Sequence, residues 1–461
     1  MKTKTLYRWL VLVGIAIIGC QNEISAPVPV PKPDPINSTW DLIQQKIFDA
    51  NCVSCHSVGT SFARQSGLVL TKDVAYKQLI NVPPMNQAAA ADGLVRVGTK
   101  GMESVEKSFL WEKVNAPNQD HLYADHPHYG AIMPLGGLAL TYGELELIRR
   151  WIVAGAPETG KVVDAAVLNN KDRYEPSKEF KALPQPAKGL QLRLGPFEVA
   201  ANYERELLYY SPLNYSEDVF IKRVEVAMRP GSHHFLLYAF QDNTPASLIP
   251  PAGVYRDFRD QAGNYILQNL QVMEYLFPVV GTQYPVLNYH FPPGVALRLK
   301  PGRGLDLNSH YANRTGQPIT GEVHMNLHFA ERAEIAHVAE NLFLSNDDFA
   351  LPPNRTTTIS KTFSNELGRR MHIFQLMSHA HEHMTQFKVE VAGGPRNGEL
   401  IYVAHDWQHP PILALDPPLV LEPGQGLRLI TTYNNQTNRT LRFGLLSTDE
   451  MQILFGYYYA D

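Results

Sequence analysis

The chain has 461 residues, 44% of them hydrophobic and 19% charged, with a formal net charge of -4. That length allows about three globular domains, and the near-neutral balance gives no footing for nucleic acid as a partner. Thirty-four prolines and 10% aromatic residues lean towards short strands and loops over long helices. The three cysteines, Cys20, Cys52 and Cys55, each fall in a motif, so no structural disulfide is expected.

Lys2, Lys4 and Arg8 precede an apolar run from Trp9 to Ile18, which leads into Gly19 and Cys20. A basic start, a short apolar core and a small residue before the cut are the marks of an export signal. The run is short for a transmembrane helix. Gly19-Cys20 resembles a bacterial lipobox, in which the cysteine is acylated. Residues 1–20 therefore read as a lipoprotein signal peptide, with the mature protein exported and anchored to a cell-envelope or periplasmic membrane through Cys20. An ordinary signal peptide or an uncleaved anchor is the plainer alternative. Residues 21–38 form a tether, because proline at alternate positions between Ala26 and Pro35 imposes an extended, semi-rigid spacer.

Residues 39–160 read as a small all-α domain. Trp40, Leu42, Ile43, Ile47 and Phe48 predict a helix over Thr39 to Asn51, with Ser38 as its cap. Cys52-Val53-Ser54-Cys55-His56 follows at once. In a C-x-x-C-H spacing two thiols can add to the haem vinyl groups while His56 reaches the iron. A thioredoxin-like pair would leave the adjacent histidine without a reason, and zinc would need further Cys or His partners at matched spacing. For the sixth iron position, Met133 sits in Gly130-Ala131-Ile132-Met133-Pro134-Leu135-Gly136-Gly137, where Pro134 blocks helix and presents the thioether from a loop. His126, His128, Met102 and an open position are its rivals. Leu145, Leu147, Ile148, Trp151 and Ile152 predict a closing helix from Thr141 to Ala154, stopped by Gly155. This order of motifs resembles the class I cytochrome c domain. The resemblance implies one covalent haem c, held by Cys52, Cys55, His56 and Met133, and a role in electron transfer.

Residues 161–188 are polar, with Pro176, Pro184 and Pro186, and read as a linker. Beyond them the period changes to two. Leu190, Leu192 and Leu194 alternate with polar residues, as do Val219 and Ile221, Val224 and Val226, Val295 to Leu299, Val389 and Val391, and Leu427 and Leu429. Short alternating runs bounded by Pro, Gly, Asn and Asp predict antiparallel β-sandwiches, jelly-roll-like, over 189–335 and 336–461. The whole chain is expected to be multidomain, a cytochrome c domain followed by two sandwiches.

Several of the 17 histidines fall in telling places. His379 and His381 are two apart, so in a strand both point to one face. His233 and His234 are adjacent and would face opposite sides of a regular strand; a bulge after Pro230-Gly231 can bring them together. His310 lies in Leu307-Asn308-Ser309-His310-Tyr311, and Met451 in Asp449-Glu450-Met451. Imidazoles with one thioether suit copper better than zinc or magnesium. His290, His324, His328, His337, His372, His405 and His409 read as core or surface residues.

Taken in order, Glu225 to His234, Phe291-Pro292-Pro293-Gly294-Val295-Ala296 with Asp306 to Tyr311, Ser378-His379-Ala380-His381, and Asp449-Glu450-Met451 with Tyr457-Tyr458-Tyr459 resemble the copper type II, ascorbate-dependent monooxygenases, the family of peptidylglycine and dopamine hydroxylases. The resemblance spans about residues 189–461. It implies that His233, His234 and His310 hold an electron-transfer copper. It implies that His379, His381 and Met451 hold the catalytic copper, which binds O₂. The two coppers are expected to face each other across a solvent-filled cleft, and His383 is a further candidate beside the second.

Two departures matter. The animal members carry disulfides that this chain lacks. The family's grip on a peptide carboxylate falls here on Met377, Ile453 and Phe455, so a less polar, non-peptide substrate is expected. Together the motifs imply a monooxygenase that hydroxylates a C–H bond of a small organic molecule with O₂. Its electrons would pass through the fused haem from an external donor, an ascorbate-like reductant or a redox protein. A haem–copper electron-transfer or sensor lipoprotein, and a copper-binding or delivery protein, are the alternative classes.

Overall fold

The computed structural model describes residues 35–126, 128–175 and 179–461. The signal peptide, Cys20 and nearly all of the proline-rich tether lie outside the described residues, as does Pro176 of the linker. Among the described residues no helix is long and apolar enough to cross a membrane.

The first helix begins where its cap allows. The Ser38 hydroxyl accepts from the Asp41 N–H at 3.0 Å, and the Asp41 carboxylate accepts from the Ser38 N–H at 3.0 Å. These bonds satisfy donors that a bare helix start would leave open. The helical path then runs through Thr39–Ile43, Gln44–Phe48 and Asp49–Asn51, with the middle stretch wound as π-helix. The closing helix, Tyr142–Val153, starts with the same device, Thr141 paired with Glu144. The two helices meet through Trp40 and Trp151, stacked with ring centroids 5.4 Å apart. Short helices fill the interval, including Ser61–Ser66 and Phe109–Val114. An N-terminal helical region is thus followed by three β-sheets.

The largest sheet has nine strands. Its path is Gly189–Val199, Ile319–Phe329, Val219–Met228, Val295–Leu299, His337–Asn346, Gln452–Ala460, Met371–His379 and Leu413–Leu421, and Val286–His290 pairs with Val219–Met228. Five strands (Tyr255–Asp257, Tyr203–Ser211, Leu305–Asn313, Ser232–Phe240, Leu276–Thr282) form a second sheet. Four more (Arg355–Ser364, Gly426–Asn435, Met384–Ala392, Leu400–Ala404) form the third. Apolar residues alternate inward as the period of two requires. Leu207, Phe235 and Leu307 meet Val226, Met325 and Leu327 in one core. Phe387, Leu429 and Tyr433 meet Ile373, Leu376 and Leu454 in the other.

The expectation of two separate, wholly antiparallel sandwiches is corrected here. The large sheet is continuous across both halves, and its seam is parallel, with His337, Val338 and Ala339 beside Val295, Ala296 and Leu297. Both His337 and Ala336 donate their N–H groups to the Gly294 carbonyl, at 2.9 and 2.8 Å, which leads the chain back into the sheet in that direction. Alternation specifies which face of a strand is buried, not which strand lies beside it or in which sense.

The helical region docks on the second half. Phe62 and Leu135 pack against its core, Thr60 bridges Leu400, and Arg64 pairs with Glu399 at 2.7 Å.

Candidate metal centre

His233 and His234 open the strand Ser232–Phe240, whose register against Leu305–Asn313 slips between Ser232 and His234. That irregularity is the predicted bulge, and it lets adjacent residues share one side. Their rings lie 5.1 Å apart. His310 is the direct cross-strand partner of His234, at 4.9 Å between rings. His379 ends the strand Met371–His379, and His381 follows two residues later at 5.1 Å.

The two sets are contiguous. His233 lies 5.8 Å from both His379 and His381, ring to ring, and His234 lies 5.6 Å from His379. Ligand nitrogens of His233, His234 and His310 fall within 4.8 Å of one another, and so do those of His233, His379 and His381. Two three-histidine groups are present, but they are contiguous and do not face each other across a solvent-filled cleft. All five histidines are buried, none more than 8% exposed, and His233 belongs to both groups. Side chains from one half clasp the other and close the gap. Glu204 receives Ser447 N–H and Oγ at 3.1 and 2.9 Å. Gln283 donates to the Trp407 carbonyl at 2.8 Å, and the Trp407 ring lies 5.4 Å from that of His233.

Four of the imidazoles are held by one nitrogen. His310 Nε2 meets Glu204 Oε1 at 2.7 Å, and His234 Nε2 meets Asn308 Oδ1 at 3.1 Å. His379 Nδ1 meets Gln283 Oε1 at 2.9 Å, and His381 Nδ1 meets the Asp449 carbonyl at 3.3 Å. On the other side, His233 Nε2, His234 Nδ1 and His310 Nδ1 are buried with no hydrogen-bond partner. One nitrogen fixed by an acceptor and the other presented bare is the arrangement that orients imidazole towards a metal.

Burial, followed by the repulsion of neighbouring imidazoles, pushes His233 and His379 well below the usual histidine range and His381 down to about 3. Those three imidazoles are therefore held in the neutral form, the one that binds metal ions. Glu204 is half-buried, which raises its carboxyl, but hydrogen bonding from His310 and Ser447 outweighs burial and holds it at about 2. Glu450 places the last ligand segment. Its carboxylate accepts from the N–H groups of His381, His383 and Met451 at 3.1, 2.8 and 3.3 Å, tying the Met451 segment to the His379–His381 turn. Met451 itself is buried. His383 stands outside both groups, 3.9 Å from Glu382.

Near the cluster, a shallow furrow with about 20 Å³ of cavity volume runs between the halves. Val279, Val280, Leu342, Met377, Phe455 and Tyr457 line it, with the amides of Asn341 and Gln375 and no charged side chain. Phe455 lies 6.4 Å from the His379 ring. Ile453 pairs with His379 across the strands.

In the helical region, Cys52 and Cys55 are free thiols. The Cys52 carbonyl accepts from the N–H groups of Cys55 and His56 at 3.1 and 2.9 Å, so the motif is one tight turn. Burial pushes the Cys52 thiol up to about 12 and raises that of Cys55. These are not the acidic thiols of a reactive redox pair. His56 Nδ1 faces the Leu68 carbonyl at 3.2 Å and Ser66 Oγ at 3.3 Å, contacts that do not engage Nε2. Met133 is half-buried in its loop, its N–H on the Lys113 carbonyl at 2.6 Å. Of its rivals, Met102 is 64% exposed, His128 is exposed, and His126 stacks on Tyr129 at 4.4 Å.

Most of the remaining histidines have ordinary partners. His324 meets Glu322, His328 meets Glu225, His405 meets the Thr385 carbonyl, and His337 and His372 stack on Tyr459. His409 lies against Tyr284, and His290 pairs across the strands with Arg223. Glu204, Asn308, Gln283, Glu450 and Trp407 were not singled out from the sequence. Glu204 and Glu206 lie two apart in Tyr203–Ser211, which puts two carboxylates on one face of a strand. That was the one signal present.

No protein-family model matches the chain, and no curated protein matches it. Among solved structures it is similar to the major capsid protein P2 of bacteriophage PM2, at 8% identity over 59% of this chain and 98% of that chain, with a TM-score of 0.23. It is also similar to a triple jelly roll from the turret assembly of an archaeal virus, at 10% identity over 59% and 60% of the two chains and a TM-score of 0.18. The Sputnik virophage structure gives 8% identity, 62% and 89% coverage and a TM-score of 0.19. At scores this low the likeness carries no functional information.

Proposed function

We propose that the chain is a copper-dependent monooxygenase that hydroxylates a small, uncharged organic substrate and draws its electrons through a haem in its own helical domain. The observation that carries the reading is the set of buried imidazoles whose ligand nitrogens gather in two groups, each within 4.8 Å, with those of His233, His234 and His310 lacking a hydrogen-bond partner. His233, His234 and His310 would hold one copper, and His379, His381 and Met451 the other. Cys52 and Cys55 would attach the haem, with His56 and Met133 on its iron. Copper in such sites supplies one-electron redox change and O₂ binding, and the haem supplies electrons singly from an ascorbate-like reductant or a redox protein.

The chain's own groups do the rest. Glu204, Asn308, Gln283 and the Asp449 carbonyl fix the imidazoles in the tautomer that presents a lone pair inward. Burial keeps water away from the cluster. Met377 and Phe455 give the furrow an apolar wall that suits a substrate without a carboxylate. The overall stoichiometry joins substrate, O₂, two electrons and two protons to give hydroxylated product and water. Acylation of Cys20 would hold the enzyme at the cell envelope.

Metal and haem analysis of the purified protein tests the reading, with one haem and two coppers per chain expected. Labelled O₂ then tests the chemistry: product that carries no label refutes oxygenation. A second reading, electron transfer without oxygenation, draws on the contiguity of the five histidines, and it predicts redox cycling with no labelled product. Copper delivery, a third, predicts a single exchangeable copper.

A further inference from the structure

Two separate contacts lead from the helical region to one buried hydroxyl. From the C-x-x-C-H turn, the Thr60 hydroxyl bonds the Cys55 carbonyl, and the Thr60 backbone bridges Leu400, two residues before Tyr402. From the Met-Pro loop, Gly136 lies against the Pro411 ring so closely that a Cβ there would stand 2.4 Å from Pro411 Cδ. Its φ of +65° likewise requires glycine. The Pro411 carbonyl accepts from the Tyr402 hydroxyl at 2.9 Å. The Tyr402 hydroxyl oxygen in turn accepts from the Ser378 N–H at 2.9 Å, and Ser378 is bonded directly to His379. Tyr402 and Ser378 are both fully buried.

We infer that electrons pass from the helical region into the histidine cluster on its His379 side, through Pro411, Tyr402 and Ser378. This rests on the reading of haem and copper given above and specifies its route. Electronic coupling decays least through covalent bonds, more across hydrogen bonds, and most across gaps. The path from Pro411 to His379 has two hydrogen bonds and one peptide step, with no gap. The rival path runs along the backbone from Pro411 to Trp407, then across open contact to His233, 5.4 Å between rings. With haem held by Cys52, Cys55 and His56 and copper by the histidines, the step would be a simple transfer in which one ferrous iron would become ferric and one cupric ion cuprous. No bond or proton moves, and an external one-electron donor restores the haem. Tyr402 is a conduit, neither oxidised nor deprotonated.

The test uses the full chain carrying haem and copper, without O₂. A sub-stoichiometric pulse of dithionite reduces the haem, and its absorbance is followed together with the copper resonance signal. Tyr402→Phe removes only the hydroxyl. Gly136→Ala displaces the loop from Pro411 and touches no histidine of the cluster. Both are expected to slow haem reoxidation by an order of magnitude while haem spectrum, copper content and the shape of the copper signal stay as in wild type. Wild-type rates in both variants overturn the route, and so does slowing confined to Trp407→Leu. If wild-type haem stays reduced beside bound cupric ions, the donor role of the haem fails, and the route with it. Should Tyr402→Phe fail to fold, Gly136→Ala decides alone.

Discussion

Removing Glu204 probes the cluster without touching a ligand. Its carboxylate accepts from His310 Nε2 at 2.7 Å and from Ser447 N–H and Oγ at 3.1 and 2.9 Å. A hydrogen bond to a charged group contributes about 1.5–3 kcal/mol. Glu204 is 21% exposed, so water can take part of its place in Glu204→Ala, and the lower end of that range applies. About 1.4 kcal/mol is a factor of ten in a dissociation constant, at the low end of the roughly 10–100-fold loss seen when such supporting groups are removed. Copper added to the proposed His233, His234 and His310 site is therefore expected to bind about tenfold more weakly in Glu204→Ala. Glu204→Gln keeps an oxygen for His310, while the Ser447 hydroxyl can turn to accept from the new amide, so only the charge is lost. Its effect falls between wild type and alanine. Competition with a chelator of known affinity measures all three. Unchanged affinity in Glu204→Ala with an intact fold refutes the reasoning, and so does a glutamine variant weaker than the alanine one.

The other expectations are simpler. Gly456→Ala sets a Cβ 2.3 Å from the Gln375 carbonyl oxygen, so the strand Gln452–Ala460 must part from the His379 strand, Met371–His379; overpacking of this kind costs about 1–3 kcal/mol, read as a lower melting temperature. The double replacement Cys52→Ser with Cys55→Ser abolishes covalent haem, so a denaturing gel stained for haem loses its band. Glu146 is held at about 2 because hydrogen bonding from Arg149, and then from Arg150, outweighs burial. A depressed carboxyl stabilises the fold above its unfolded value and loses that contribution as pH falls through 4.5 towards about 2. At 31% exposure the contribution is about 0.3–1 kcal/mol, so the melting-temperature gap between wild type and Glu146→Gln is small at neutral pH and closes across that window.

What the sequence revealed was local. The cap at Ser38 sits where a serine precedes an acidic residue at the third helical position. The bulge at His233 follows from needing two neighbouring side chains on one side of a strand after Pro230-Gly231. Partners distant along the chain were not legible. Glu204 and Ser447 are 243 residues apart, and Gln283 and His379 are 96 apart, so no local pattern joins them. A glutamate in a strand looks like a solvent-facing residue until the opposite half of the molecule is in place. The parallel seam was hidden for the same reason, since Val295 and His337 carry no mark of being neighbours.

Histidines in a protein core are not themselves a sign of metal, and this chain shows the difference internally. His324 is buried, with Nε2 on Glu322 and Nδ1 unpartnered, yet it belongs to neither three-histidine group. An unpaired buried acceptor costs about 1–3 kcal/mol, which a fold of this size can absorb once. At His233, His234 and His310 three such nitrogens lie within 4.8 Å of one another. Their lone pairs repel as well as going unsatisfied, so the arrangement needs a shared positive charge. A proton is disfavoured, because burial pushes His233 and His234 below the usual histidine range. Acceptors already fix His234 and His310 in place from behind, so neither ring can turn away to find another partner without breaking a buried bond. A metal cation held between them would satisfy all three nitrogens at once.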